Sequence, residues 1–547
     1  MGKTPLLEFS FYKSLLTFIS QNQTCMNKVF FSICIVTVSV SLAVAQRPGG
    51  GTGNRPDGQT STAPAVTTST GTPTRVNLKT DSTVTVRNEI TIKGEKVSYT
   101  AIAGTSPVLD ADNVSIANVF YTYYERNDVK DKTTRPLVIS FNGGPGTPSV
   151  WMEIGYTGPR ILNVDDEGYP VQPYGMKDNP HSILDVADIV YIDPVNTGFS
   201  RPLIKEGVAQ KFFGTNADIK YLAAWINSFV SKYKRWASPK FLIGESYGTT
   251  RVSGLALELQ DAQWMYLNGV VLVSPTDLGI ERSGPVGAAL FVPYYAATAW
   301  YHKALNKDLQ KKDLTDYLPE VEKFTIDELI PAITKGGALS EEKRKEVATK
   351  YAAYTGLSQK AVLEHNFEIP TNFFWKELLR DKGYTVGRLD SRYLGIDRQD
   401  AGERPDYNAE LSSWEHSFMP AMNIYLRDEL NYKTDLSYFL FGPVNPWDRT
   451  NDRTGLNLGK AMAENPYLHL LVQSGYYDGA CDYFNAKYSM WQIDPAGKLK
   501  DRMSWEGYRS GHMMYLRKDD LSKANENLRK FIAKSIPKSG TPAKYKE

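Results

Sequence analysis

Gly244, Glu245, Ser246, Tyr247 and Gly248 follow the apolar run Phe241, Leu242, Ile243 and precede a helix-like stretch, so they read as a strand, a sharp turn and a helix. A serine at the tip of such a turn is held in a strained backbone conformation with its hydroxyl exposed above the sheet, where it can act as a nucleophile. Glycine two residues away on either side allows strand and helix to approach closely, because a Cβ there would clash. A G-x-S-x-G pentapeptide alone has modest specificity, and what lies around it decides whether Ser246 does chemistry.

A serine nucleophile needs a base, and the base needs an acid to orient it. The run Tyr467 to Ser474 ends at Gly475, Tyr476, Tyr477, Asp478, Gly479, which puts Asp478 just beyond a buried strand. Downstream of it only one histidine remains, His512, in the loop Tyr508 to Met514. The order Ser246, Asp478, His512 is that of an α/β-hydrolase triad, whose acid and base sit on loops at the carboxyl ends of later strands. In these roles His512 takes the Ser246 proton, and Asp478 holds the ring tautomer and stabilises the imidazolium. Taken alone, Asp478 also fits an Asp-Gly turn, and Asp482 is the substitute acid. The other five histidines, His181, His302, His365, His416 and His469, carry no motif and read as packing or surface residues.

The tetrahedral intermediate of acyl transfer requires donors for its oxyanion. Phe141, Asn142, Gly143, Gly144, Pro145 and Gly146 follow an apolar strand at 137–141, and a loop so rich in glycine leaves backbone amides uncovered. This loop can supply one donor, and the amide of Tyr247 the second. The loop also fits a plain connection; no G-K-[ST] follows, which argues against nucleotide binding.

The elements that must carry these groups are legible in outline. Ser82 to Val86, Glu89 to Ile92, Val97 to Ile102 and Val119 to Tyr124 alternate and read as antiparallel strands. Leu137 to Phe141, Ile189 to Ile192, Phe241 to Ile243 and Gly269 to Val273 are short continuous apolar runs, which suit strands buried on both faces of a parallel sheet. Helical stretches, notably Asp218 to Tyr233 and Ser253 to Gln260, lie between them, giving an α/β order. From about 281 to 430 amphipathic stretches dominate, such as Trp300 to Leu314, Ser340 to Tyr354 and Ser358 to His365, and read as a mainly helical insertion capping the sheet. Strand-like sequence returns at Tyr467 to Gln473 and Met503 to Tyr508. The expected fold class is α/β, a mostly parallel central sheet with helices on both faces and a helical cap.

Composition narrows the partners. With 63 basic and 61 acidic residues, a formal charge of +2, the chain has no electrostatic bias toward nucleic acid or anionic membrane. From Met26 the chain reads MNKVFFSICIVTVSVSLAVAQ, with Lys28, an apolar stretch from Val29 to Val44, and Ala43 and Ala45 before Gln46. This predicts a cleaved signal at 26–45 behind an upstream start, hence a secreted or periplasmic protein without stable membrane association. Residues 46–75 are rich in Gly, Pro, Ser and Thr and read as a linker, and 76–547 as the hydrolase domain. Of three cysteines Cys25 and Cys34 fall within the removed segment, leaving Cys481 without an internal disulfide partner. No two of the six histidines stand at H-x-x-x-H spacing, so a metal centre of the Cys/His cluster kind is not expected. No cofactor is implied, since triad and oxyanion donors supply the chemistry by themselves.

With Asn142-Gly-Gly-Pro-Gly146, Gly244-Glu-Ser-Tyr-Gly248, Gly475 to Cys481 and Gly511-His-Met513 in this order, the chain resembles the serine carboxypeptidases, peptidase family S10, over roughly residues 80–530. Asn179-Pro180 and Asp193-Pro-Val-Asn-Thr-Gly-Phe-Ser200 are further matches. The resemblance implies a triad of Ser246, Asp478 and His512, an oxyanion hole from the backbone of Gly144 and Tyr247, and a peptide substrate with a free C-terminus. It places Asn142, Gly143 and Glu245 at the substrate's terminal carboxylate and Cys481 near the substrate pocket. Glu245 would share a proton with that carboxylate, because two carboxyl groups in contact do not both ionise. The chain departs from the family pattern where a Trp and a Glu that help bind the carboxylate are replaced by Ser140 and Tyr156, with Glu153 a candidate replacement, and where a cysteine is replaced by Thr147. These departures leave an esterase or acyltransferase acting on small acyl compounds as the alternative.

Overall fold

The computed structural model describes residues 80–545, so the signal and linker expected before residue 76 lie outside the described residues. Nine strands form the path of the central sheet: β1 (Thr83–Ile92), β2 (Glu95–Leu109), β3 (Ser115–Arg126), β4 (Leu137–Phe141), β5 (Asp188–Ile192), β6 (Lys240–Glu245), β7 (Gly269–Val273), β8 (His469–Gly475) and β9 (Met503–Tyr508). Their order is β1-β2-β3-β5-β4-β6-β7-β8-β9, with the two-residue strand Arg201–Pro202 also paired to β3. The first three strands and the β3–β5 pair are antiparallel, and every pair from β5 to β9 is parallel. This is an α/β-hydrolase sheet. The two segments expected as separate strands at 82–86 and 89–92 are one continuous strand, β1, because the whole of it pairs with β2.

The continuous apolar runs are buried on both faces, and alternate residues divide between two cores. Phe241, Ile243, Val271, Val273 and Leu471 face one layer, while Leu242, Val270, Leu272, Leu470 and Val472 face the other. The second layer is filled by helix α1 (Thr215–Lys232), with Leu222, Trp225 and Phe229, by α2 (Tyr247–Gln263), with Leu255 and Leu259, and by α3 (Thr454–Glu464), with Leu458 and Met462. Helix α4 (Tyr483–Ile493) follows β8, and α5 (Lys518–Ser535) covers the first layer with Leu528, Phe531 and Ile532. Two-sided burial is why these strands show no polar alternation.

Between β7 and β8 the chain leaves the sheet, and its helices include Val292–Tyr301, Leu314–Phe324, Glu341–Thr355, Gln359–Glu364 and Ala409–Ile424. Ser340 and Ser358 cap two of them, each accepting a backbone amide three residues on. The helix expected from Trp300 to Leu314 is absent. The chain turns at Lys303, φ +56, a four-residue helix Lys307–Gln310 capped by Asn306 follows, and Asp313 starts the next by accepting the Thr315 amide, so the apolar spacing there runs across separate helices. Tyr295, Tyr317, Val321 and Tyr351 form a third core that closes on Tyr476, Tyr477 and Phe484 beside the end of β8.

Strand order reverses at β4, whose neighbours β5 and β6 are reached in opposite directions. In open α/β sheets ligands bind in the crevice beyond the carboxyl ends of strands at such a point, and here β4 leads into Asn142–Gly146 while β6 leads into Ser246. The crevice is braced from below by Arg251 on α2. It is fully buried, pairs with Asp218 of α1 at 2.6 Å, and donates to the Asn142 carbonyl at 2.6 Å. Removing one member of a buried pair strands the other charge. Asp218→Ala is therefore expected to lower the unfolding free energy by about 3–5 kcal/mol, read from urea denaturation.

Candidate active site

Ser246 lies between the last residue of β6 and the first of α2, with φ +57 and ψ −129. Few non-glycine residues adopt a positive φ, and this one is held from both sides. Its amide donates to the Val273 carbonyl at 3.0 Å, and its carbonyl accepts from the Thr249 amide at 2.8 Å. The flanking glycines are needed for contact rather than for φ. A Cβ on Gly244 would stand 2.2 Å from the Gly248 carbonyl oxygen, and one on Gly248 would stand 2.9 Å from the carbonyl oxygens of Phe141 and Asn142.

The loop after β4 runs alongside. A Cβ on Gly143 would stand 2.4 Å from the Tyr247 nitrogen, so the Gly143–Gly144 peptide borders the start of α2. The Gly143 carbonyl accepts from the Thr147 amide at 3.1 Å and the Thr147 hydroxyl at 2.6 Å. A trans peptide points its N–H opposite its C=O, so the Gly144 amide is directed away from Thr147. Tyr247 is the first residue of α2, where an amide has no intrahelical acceptor. The Gly143–Gly144 peptide and the first amide of α2 are thus close neighbours.

Asp478 is fully buried and uses both carboxylate oxygens. Oδ1 accepts the amides of Ala480 and Cys481 at 2.9 and 3.0 Å, and Oδ2 lies 2.7 Å from His512 Nδ1. One oxygen of Asp478 thus closes the turn and the other meets the histidine ring. Asp482 is occupied elsewhere: its Oδ1 accepts the Phe484 and Asn485 amides as the cap of α4, and its Oδ2 accepts from Asn485 Nδ2. Burial lowers the pKa of His512, but the charge and hydrogen bond of Asp478, with the charge of Glu245, outweigh burial and leave it raised above its ordinary value.

A segment the sequence did not mark, Gly387–Tyr393, holds these two loops together. The His512 amide donates to the Leu389 carbonyl at 2.7 Å, Ser391 donates to Tyr477 at 2.9 Å, and Gly479 donates to Arg388 at 2.9 Å. Asp390 pairs with Arg392 at 2.6 Å, both buried, and Arg392 donates to the Ser510 hydroxyl. Gly511 sits directly against Asp390: a Cβ there would stand 2.5 Å from Asp390 Cβ and Cγ.

Asn142 and Glu245 are both buried and hydrogen-bonded to each other, Nδ2 to Oε2, with Asn142 Oδ1 accepting the Met152 amide at 2.9 Å. Burial raises the Glu245 carboxyl to about 7, against the lowering influence of His512, Tyr515 and Asn142. Tyr515, which the sequence reading missed, donates to the same Oε2 at 2.7 Å. Nothing in the local pattern around His512 signals that a ring three residues on returns to β6. Of the departures, Ser140 is buried on β4, and the Tyr156 hydroxyl donates to Gln473 at 2.7 Å. Glu153 does not take up a place beside Glu245; its Oε1 accepts the Tyr124 hydroxyl at 2.5 Å, and burial raises its carboxyl to about 7. Cys481 is a part-exposed free thiol, and its sulfur, a carboxylate oxygen of Asp478 and a ring nitrogen of His512 lie within 4.8 Å of one another. That is a spacing open to a metal ion, although Asp478 and His512 are already hydrogen-bonded to each other. Four of the five other histidines bond a backbone carbonyl through the ring: His302 that of Ser391, and His365, His416 and His469 one within four residues.

The family model described as serine carboxypeptidase matches residues 101–386. Serine carboxypeptidase S10 family member 1 of Dictyostelium discoideum is 29% identical over 145 residues, covering 26% of this chain and 32% of that protein. Carboxypeptidase Y of Schizosaccharomyces pombe is 31% identical over 150 residues, 26% of this chain and 13% of that protein. The chain thus spans a third or less of the length of these two relatives. Among solved structures, Kex1Δp, a prohormone-processing carboxypeptidase from Saccharomyces cerevisiae, matches with a TM-score of 0.47 and 15% identity, covering 80% of this chain and 91% of that one.

The contact of Gly511 with Asp390 gives a test of the clamp. Gly511→Ala is expected to push the His512 loop away from Asp390 and to lower kcat by about 100-fold with the far-UV circular dichroism retained.

Proposed function

The chain belongs to the serine carboxypeptidase family, and on that premise we propose that it is an exported hydrolase releasing C-terminal residues from peptides through an acyl-enzyme on Ser246. The observation that carries this reading is the pairing of the buried Asn142–Glu245 unit with the Asp478–His512 hydrogen bond at one crevice. With Nδ1–H donated to Asp478, the basic nitrogen of His512 is Nε2, which removes the Ser246 proton as Oγ attacks the scissile carbonyl. The developing oxyanion accepts from the amides of Gly144 and Tyr247, each worth about 3 kcal/mol of barrier. His512 returns the proton to the leaving amine, and water repeats the sequence to free the acyl group.

Glu245 and Asn142 receive the terminal carboxylate of the peptide, one residue beyond the bond that breaks. Because burial raises Glu245 to about 7, the carboxyl is neutral below that pH and donates to the substrate; above it the ionised form repels the substrate's negative charge. No helix among the described residues is long and apolar enough to cross a membrane. The hydroxyl of Tyr156 is committed to Gln473, which supports the esterase or acyltransferase alternative, since that position then offers nothing to a carboxylate.

Substrate pairs separate the two readings. Ser246→Ala is expected to abolish turnover of every substrate, and fluorophosphonate labelling of the wild type is expected to map to the peptide containing Ser246. Amidating the C-terminus of a blocked dipeptide is expected to reduce kcat/KM by about 100-fold, the loss of hydrogen bonds to a charged group; equal rates would select the esterase reading. For peptides with a free C-terminus kcat/KM is expected to fall as pH rises through about 7, whereas for a blocked amino-acid ethyl ester that fall is expected to be absent.

A further inference from the structure

Glu245 is 2% exposed, and both side chains that donate to it, Asn142 and Tyr515, converge on one oxygen, Oε2. Among the described residues Oε1 receives no donor. A neutral carboxyl has one hydroxyl and one carbonyl oxygen, and the oxygen accepting two hydrogen bonds takes the carbonyl role. The proton is thereby placed on Oε1. Resting on the assignment of Glu245 to the terminal carboxylate, we propose that Tyr515 is a positioning residue of the carboxylate site, which fixes Glu245 through Oε2 and leaves Oε1–H as the donor presented to the peptide.

Tyr515 is built into this place from several directions. Its ring is fully buried and stacks on Tyr156 with centroids 4.9 Å apart and planes 5° from parallel. The Tyr156 hydroxyl is anchored on Gln473 Oε1 at 2.7 Å, and Gln473 Nε2 donates to the Tyr508 hydroxyl at 2.8 Å. The carbonyl of Tyr156 accepts Asn179 Nδ2 at 2.9 Å, which fixes the stacking partner's backbone. Gly155 makes the space, since a Cβ on it would stand 2.8 Å from Tyr515 Cε2. Tyr156, standing where the family pattern has a glutamate, therefore acts on Glu245 only through the ring of Tyr515.

A tyrosine in this role differs chemically from a second carboxyl. Burial and the Glu245 charge push the Tyr515 hydroxyl well above its ordinary value, so it remains a neutral donor across the working pH range. The groups facing Glu245 are Tyr515, Asn142, His512 and Asp478. Of these the two hydrogen bonds and His512 favour the ionised form, and Asp478 opposes it. Removing the Tyr515 hydroxyl takes away one stabiliser of the ionised form, and the Glu245 pKa rises.

The test uses the full chain carrying Ser246→Ala, titrated with N-benzoyl-phenylalanine and with its amide from about pH 5 to about pH 9, across the carboxyl's shifted range. Adding Tyr515→Phe, which keeps the stacked ring, is expected to weaken binding of the acid about tenfold at the low-pH plateau and to leave the amide unchanged. It is also expected to move the midpoint at which acid binding is lost to higher pH, a shift that a merely structural role of the ring would not produce. Unchanged acid affinity and midpoint, or equal losses for acid and amide, overturn the proposal. Glu245→Gln distinguishes this failure from failure of the underlying assignment: if it removes the midpoint while Tyr515→Phe does nothing, Glu245 holds the carboxylate and Tyr515 does not. If Glu245→Gln leaves the profile as it stands in Ser246→Ala, both fall.

Discussion

Asp478 and His512 lie 34 residues apart on loops that follow the adjacent strands β8 and β9; Tyr477 donates directly to the Ser510 carbonyl at 3.0 Å, and the segment Gly387–Tyr393, contributed by the excursion between β7 and β8, bonds to both loops as a third element. Its carbonyls at Arg388 and Leu389 accept from Gly479 and His512, and its amide at Ser391 donates to Tyr477. Backbone bonds suit this task because they are shorter-ranged and stiffer than side-chain contacts. An unmade one, buried, would cost about 1–3 kcal/mol, so the three bonds hold the loops at a definite spacing. The Asp390–Arg392 pair then ties the segment to Ser510, two residues before the base.

The nucleophile's half of the crevice is fixed differently, by close approach rather than by hydrogen bonding from a third element. Gly143, Gly244 and Gly248 are each too near a neighbouring backbone to carry a Cβ. The loop after β4, the end of β6 and the start of α2 can therefore occupy one small volume. Arg251 makes this compact arrangement electrically tolerable underneath: paired with Asp218, it spends a second guanidinium nitrogen on the Asn142 carbonyl. A charge buried without such a partner would not be retained. The result is that the backbone of Asn142 is tied directly to the helix that carries Tyr247.

Two buried carboxyl groups sit within this frame and are partnered differently. Asp478 accepts two backbone amides on one oxygen and meets the His512 ring with the other. Glu245 accepts donors from Asn142 and Tyr515, but its burial dominates and brings its titration to about 7. Glu245 and His512 are coupled, each charge favouring the other. On the proposed function, a substrate carboxylate at Glu245 would place a negative charge beside His512 even when Glu245 itself is neutral, and so would raise the affinity of His512 for a proton.

How much of this was legible in the sequence follows from the range of the interactions involved. The strand-turn-helix at Ser246, the buried parallel strands and the order Ser246, Asp478, His512 are local patterns or chain-order constraints. A strand buried on both faces must be apolar throughout, and a turn without room for a Cβ must be glycine. The Trp300–Leu314 stretch was misread for the same reason, since apolar spacing does not say whether one helix or separate helices produced it. Tyr515, Arg251 and Gly387–Tyr393 left no such trace. A lone arginine in Thr249–Gly254, amid small residues, was the one available signal. What the sequence by itself determined, then, was the sheet and the chain order of the candidate nucleophile, acid, base and glycine-rich loop, because each is specified within a few residues. Only the tertiary structure decided which groups hold them and which oxygen of Glu245 is left free, because those choices depend on contacts between residues as far apart as Glu245 and Tyr515, which no local pattern encodes.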